Sequence, residues 1–85
     1  MKLGEKIAIT RRDKGISQVF IANKLGKTSA WLSNIEKCRR DIGAKELGQV
    51  AEILGVDIGI FFNDKFNSKL SVELNSTGSD GPLGQ

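Results

Sequence analysis

The stretch that decides the fold is Ser17-Gln18-Val19-Phe20-Ile21-Ala22-Asn23-Lys24-Leu25-Gly26-Lys27-Thr28-Ser29-Ala30-Trp31-Leu32-Ser33-Asn34-Ile35-Glu36-Lys37. Ser17 stands where a hydroxyl can accept from the first free N–H groups of a helix over 18–25, and Ile21, Ala22 and Leu25 in that helix fall one turn apart. Gly26 can adopt the left-handed conformation that ends a helix at little steric cost. Thr28 then caps a second helix, 29–37, with Leu32, Ile35 and Glu36 on its inner side. Two short capped helices joined by a glycine-containing turn allow the first to brace the second at a steep angle.

On either side the pattern stays helical. Leu3, Ile7 and the Thr10/Arg11 pair predict a helix over 2–14, ended by Gly15. Segment 38–43 reads as a loop carrying Arg39 and Arg40. Leu47, Val50, Ala51 and Leu54 recur at i, i+3, i+4 and i+7, which predicts an amphipathic helix over 44–54 with Gly43 at its N-cap, Glu46 near its positive end and Gly55 closing it. Asp57 is placed to cap a fifth short helix, 58–62, expected to supply Val56, Ile58, Phe61 and Phe62 to the core. The fold class is therefore all-α: five helices in one domain over residues 1–63, followed by a C-terminal extension over 64–85. Within the extension Leu70, Val72 and Leu74 alternate with Ser71 and Glu73, a strand-like pattern. A lone strand beside an all-α domain pairs with another chain, packs flat or stays disordered. From Asn75 onward the Ser, Gly and Asp content predicts a flexible tail, and the closing Gly-Pro-Leu-Gly-Gln has the composition of an appended remnant outside the fold.

Length and composition narrow the function. Eighty-five residues suffice for one modest core, and 39% hydrophobic with 27% charged residues suits a globular protein. No apolar run approaches the roughly 20 residues of a membrane span, and the N-terminus lacks the pattern of a signal peptide. With one cysteine, Cys38, no internal disulfide is possible, so a cytoplasmic home is expected. The absence of histidine and the single cysteine give no zinc spacing, and no glycine-rich phosphate loop follows a strand. Neither a metal, nor a cofactor, nor an enzymatic activity is expected. The net charge of +3 is unevenly placed. Residues 1–45 carry eleven Lys and Arg against four acidic residues, a balance of +7, and residues 46–85 carry two against six, a balance of −4. Such a basic half suits a polyanion on one face, although a solvated surface of uneven charge would look the same.

At this point the chain resembles the Xre family, the Cro and phage-repressor type of helix-turn-helix domain. The resemblance rests on Leu3-Gly4-Glu5-Lys6-Ile7, Gly15-Ile16-Ser17-Gln18, Ile21-Ala22, Lys24-Leu25-Gly26, Leu32-Ser33-Asn34-Ile35-Glu36 and Leu47 through Phe62, and so covers residues 3–62. It implies a five-helix fold, binding to double-stranded DNA and a homodimer. It further implies that Gln18 touches a phosphate or a base edge, and that Ser29, Ala30, Ser33 and Asn34 lie on the outer face of the helix that enters the major groove. An asparagine there can pair with adenine in two-pronged fashion, and Ala30 can meet a thymine methyl. Ser17, Lys27, Thr28, Trp31, Lys37, Arg39 and Arg40 would hold the sugar-phosphate backbone. Glu36 would pair with Arg11 as a structural tie.

The chain also departs from that pattern. Cys38 replaces the glycine usual after the second helix of the pair, which places strain or another path in the loop. Ile42 replaces a proline, and Thr10 replaces a leucine of the first helix. Val19, Phe20 and Ile60 are apolar where the family tends to be polar. Phe20 either fills the space left by Thr10 or joins Val19 and Ile60 in a surface for a partner. Trp31 either lies against the DNA backbone or belongs to the core, and Arg39 with Arg40 is either a phosphate grip or a solvated pair. Cys38 is expected to be an inert thiol rather than a redox sensor. The expected function is a dimeric transcriptional regulator, a repressor on a near-palindromic operator, with Ile60, Leu70, Val72 and Leu74 forming the dimer interface. The rival expectation is a protein-interaction module or antitoxin of the same fold, with a protein partner or anti-repressor held through Val19, Phe20 and Trp31.

Overall fold

The computed structural model of the protein describes residues 1–62. Over these residues the chain forms α1 (Leu3–Asp13), α2 (Gln18–Lys24), α3 (Ser29–Glu36), α4 (Ala44–Leu54) and a 3₁₀ turn (Ile58–Phe62), with no strand among the described residues. The expected α-helix over 58–62 is therefore a 3₁₀ turn. The Asp57 carboxylate accepts from the Gly59 N–H at 2.8 Å and the Asp57 carbonyl accepts from the Ile60 N–H at 3.0 Å. The latter is an i to i+3 bond, and five residues with a glycine among them are too few to establish an α ladder. Leu70, Val72 and Leu74, and the whole extension 64–85, lie outside the described residues.

Local capping chemistry sets the helix starts. Ser17 Oγ accepts from the Phe20 N–H at 3.0 Å and Thr28 Oγ1 from the Trp31 N–H at 3.1 Å, each satisfying a donor that the first turn leaves open. At the head of α1 the Glu5 carboxylate reaches back to the Lys2 N–H at 2.8 Å. The helix ends share one device. After each α-helix a residue takes a left-handed conformation, at Gly15, Gly26, Cys38 and Gly55, with φ of 69°, 69°, 61° and 71°. The next residue's N–H then turns back to a carbonyl of the closing turn, as in Lys27 to Ala22 at 2.8 Å and Arg39 to Asn34 at 2.9 Å. Three of these positions are glycine; the fourth is a cysteine.

Ile7 of α1, Ile21 of α2, Leu32 and Ile35 of α3, Leu47, Val50, Ala51 and Leu54 of α4, and Phe61 of the 3₁₀ turn make the core. Leu3, Ile16, Leu25, Trp31, Ile42, Ile53, Val56 and Ile60 pack around it. The expectation that Ile58 and Phe62 enter the core is corrected: they are 37% and 64% exposed, whereas Ile60 packs against the cluster. In so short a turn only one aromatic can point at α1 and α4, and Phe61 takes that place. Phe20 likewise does not fill space beside Thr10. It is 48% exposed, with the Lys24 ammonium 5.4 Å from its ring centroid, and Thr10 is itself buried.

Two long-range features position α1. Lys6 is buried, and its ammonium donates to the Phe61 carbonyl at 3.1 Å, closing the end of the 3₁₀ turn. Gly4 lies against the last turn of α3: a Cβ there would overlap the Ile35 carbonyl oxygen and stand 3.2 Å from Cys38 Sγ. Only a residue without a side chain allows that approach.

Candidate nucleic-acid interface

The cap at Thr28 and the stop at Lys37–Cys38 define an α3 of eight residues. Leu32, Ile35 and Glu36 are buried on one side, anchoring the helix in the core through an i, i+3, i+4 set. At about 100° per residue, Ser29, Ala30, Ser33, Asn34 and Lys37 fall in one arc of about 140° on the other side. Ser29, Ala30 and Lys37 are exposed, and Ser33 and Asn34 half-buried. The side chains of Ser29, Ser33 and Asn34 make no hydrogen bond to any described residue, so their donors and acceptors are available.

Cations stand at both ends of this face. Lys27 precedes α3, with its ammonium 5.6 Å from the centroid of the Trp31 ring; Lys37, Arg39 and Arg40 follow it and are exposed. Among the described residues no carboxylate forms an ion pair with any of these four cations. Trp31 is half-buried and packs against the core, and so divides its ring between core and solvent. Ser17 and Thr28 are exposed, with their hydroxyl oxygens already accepting cap bonds.

The tie beneath α3 is dense. Arg11 Nε donates to Glu36 Oε2 at 2.7 Å and Arg11 Nη2 to Oε1 at 3.0 Å, a two-pronged pair whose side chains are 12% and 4% exposed. Arg11 Nη1 donates to the Ile16 carbonyl at 2.9 Å. Gln18, the first residue of α2, donates from Nε2 to Glu36 Oε1 at 2.9 Å. α1 and α2 thus meet α3 on one carboxylate, and Arg11 also ties in the loop before α2. Sequence reasoning missed the Gln18 bond, the Gly4 approach and the burial of Lys6. For Lys6 a signal was present: it lies three residues after Leu3 and four before Thr10, on the inner side of α1.

Of the residues expected at the dimer interface, Ile60 is half-buried against the core and the other three lie outside the described residues. No helix among the described residues is long and apolar enough to cross a membrane.

A two-helix unit with one buried and one polar face on its second helix is a helix-turn-helix, and residues 7–61 match the family described as Helix-turn-helix, well over half of the chain. The chain belongs to that family, in its Xre-type branch. It is similar to an uncharacterized HTH-type transcriptional regulator of Sinorhizobium medicae (strain WSM419) and to another of Rhizobium meliloti (strain 1021), each 32% identical over 62 residues, 73% of this chain. Those 62 residues are 45% of each relative, so the chain spans less than half the length of the curated relatives it matches. No solved structure matches it.

Proposed function

We propose that this protein is a sequence-specific double-stranded DNA-binding transcriptional regulator, acting as a repressor on a near-palindromic operator. The observation that carries the proposal is the outer face of α3: short polar side chains and, at both ends of the helix, cations that have no hydrogen-bond or ion-pair partner for their side chains among the described residues. A helix presented in this way fits a major groove about 12 Å wide. Asn34 reads adenine, Ser29 and Ser33 adapt to donors or acceptors, Ala30 meets a thymine methyl, and Lys27, Lys37, Arg39 and Arg40 neutralise phosphates. Ser17, Thr28 and Trp31 add contacts to the sugar-phosphate backbone. A homodimer would place two such helices about 34 Å apart, in successive grooves. Its surface lies around the 3₁₀ turn, where Ile58 and Phe62 are exposed, together with Leu70, Val72 and Leu74. A monomeric mass in sedimentation at high protein concentration would remove the dimer from this reading.

Two substitutions test the roles. Asn34→Ala is expected to weaken operator binding by about 1–3 kcal/mol while leaving random DNA unaffected. Arg40→Ala is expected to weaken both alike and to reduce the slope of log affinity against log salt by about one phosphate. Identical behaviour of the two variants on operator and random duplexes contradicts the assignment.

A second reading, a protein-interaction module or antitoxin, has one observation in its favour: Val19 and Phe20 are 54% and 48% exposed on α2. Retention on random DNA separates the two. A DNA binder is released as salt rises, and a pure protein binder shows little retention at any salt concentration.

A further inference from the structure

Gln18 occupies the first position of α2, where a free amide could grip a phosphate or read a base, yet one N–H of its amide is committed inside the protein. Nε2 donates at 2.9 Å to Glu36 Oε1, on a carboxylate whose side chain is 4% exposed and which also takes both Arg11 bonds. A carboxylate accepts and never donates, so only the nitrogen end of the Gln18 amide can face it, and the amide cannot turn over without losing that bond. The contact joins the start of α2 to the last residue of α3, the two points farthest apart along the helix pair. Resting on the DNA-binding reading above, we propose that Gln18 is a positioning residue. Through Glu36 it fixes the angle at which α3 is presented to the groove, a role apart from the phosphate grip or direct base reading that its place in the sequence suggests.

The three roles leave different traces. Loss of a phosphate contact weakens binding to every sequence alike. Loss of a base reader relaxes the preference at one base pair of each half-site. Loss of a positioning residue tilts the whole of α3, so that preferences read by Ser29, Ala30, Ser33 and Asn34 relax together while affinity for random DNA is kept. Gln18→Met preserves the length of the side chain and removes the donor, and Glu36 keeps both bonds to Arg11.

The test selects bound duplexes from a random pool with the full chain, as wild type, Gln18→Met and, for comparison, Asn34→Ala. Thermal melts run alongside show that each variant is folded, and Gln18→Asn, which keeps an amide too short to reach Glu36, serves as a second variant if Gln18→Met melts early. The expected result is a Gln18→Met motif flattened at several adjacent positions, at least a threefold loss on the wild-type operator and unchanged affinity for random DNA, against a single flattened position for Asn34→Ala. Equal loss on operator and random DNA, relaxation at one position only, or an unchanged motif overturns the positioning role while leaving the DNA-binding reading intact. A wild-type chain that enriches no sequence overturns that reading itself, and the inference with it.

Discussion

Cys38 shows how one side chain can sit against its backbone. The chain makes the same left-handed stop after each of its four α-helices, and at three of them glycine occupies the position. Cys38 holds φ at 61° with a Cβ, a conformation that costs an L-residue about 1 kcal/mol relative to glycine. Cys38→Gly is therefore expected to raise stability by about 0.5–1 kcal/mol, read as a higher urea midpoint at unchanged slope. A lower midpoint would mean that the cysteine contributes packing that outweighs its strain, because its sulfur lies beside Gly4. Gly4 is the opposite case, a position where any side chain collides with backbone. Gly4→Ala is expected to cost about 3 kcal/mol or more, since the obstacle is the Ile35 carbonyl rather than a flexible side chain. A variant within about 0.5 kcal/mol of wild type would show that α1 slides freely on α3.

At the scale of elements, α3 stands where it does because one carboxylate gathers a residue of α1 and a residue of α2. Arg11 and Glu36 are both largely buried, so removing one partner leaves a charge without water or counterion. Glu36→Leu alone is expected to destabilise the domain by about 3–5 kcal/mol, whereas Arg11→Met with Glu36→Leu recovers most of that loss. Denaturant unfolding of the two single variants and the double variant completes the cycle, and additive losses would show that the pair does not act as a unit. The helices themselves were legible in the sequence because their signals are local: Ser17 and Thr28 lie one residue before the helices they cap, and Gly15, Gly26 and Gly55 follow the helices they end. The inner side of α3 was legible for the same reason, from the spacing of Leu32, Ile35 and Glu36. What joins the helices was less so. The Arg11–Glu36 tie entered through family resemblance, and the Gln18 bond spans 18 residues and the Lys6 bond to Phe61 spans 55. Over such separations periodicity carries no information about which side chains meet. The 3₁₀ turn was misread because Ile58, Phe61 and Phe62 all look like core residues, and only tertiary space decides that Phe61 alone is enclosed.

At the scale of the whole molecule, the polar face of α3, the cations at its ends and the excess of positive charge in residues 1–45 lie in one half of the chain. The acidic balance belongs to residues 46–85, which include most of α4 and the 3₁₀ turn. A polyanion should therefore approach through α2 and α3 and leave the 3₁₀ turn uncovered. Placement of the bound duplex is the most direct check, by titrating isotope-labelled protein with duplex DNA at low salt and following each backbone amide. The expected result is that the largest shifts fall on Lys27–Asn34 and on Lys37, Arg39 and Arg40, with α4 nearly silent. Shifts centred on Ile58–Phe62, or a spectrum that DNA leaves unchanged, would contradict a groove-reading α3.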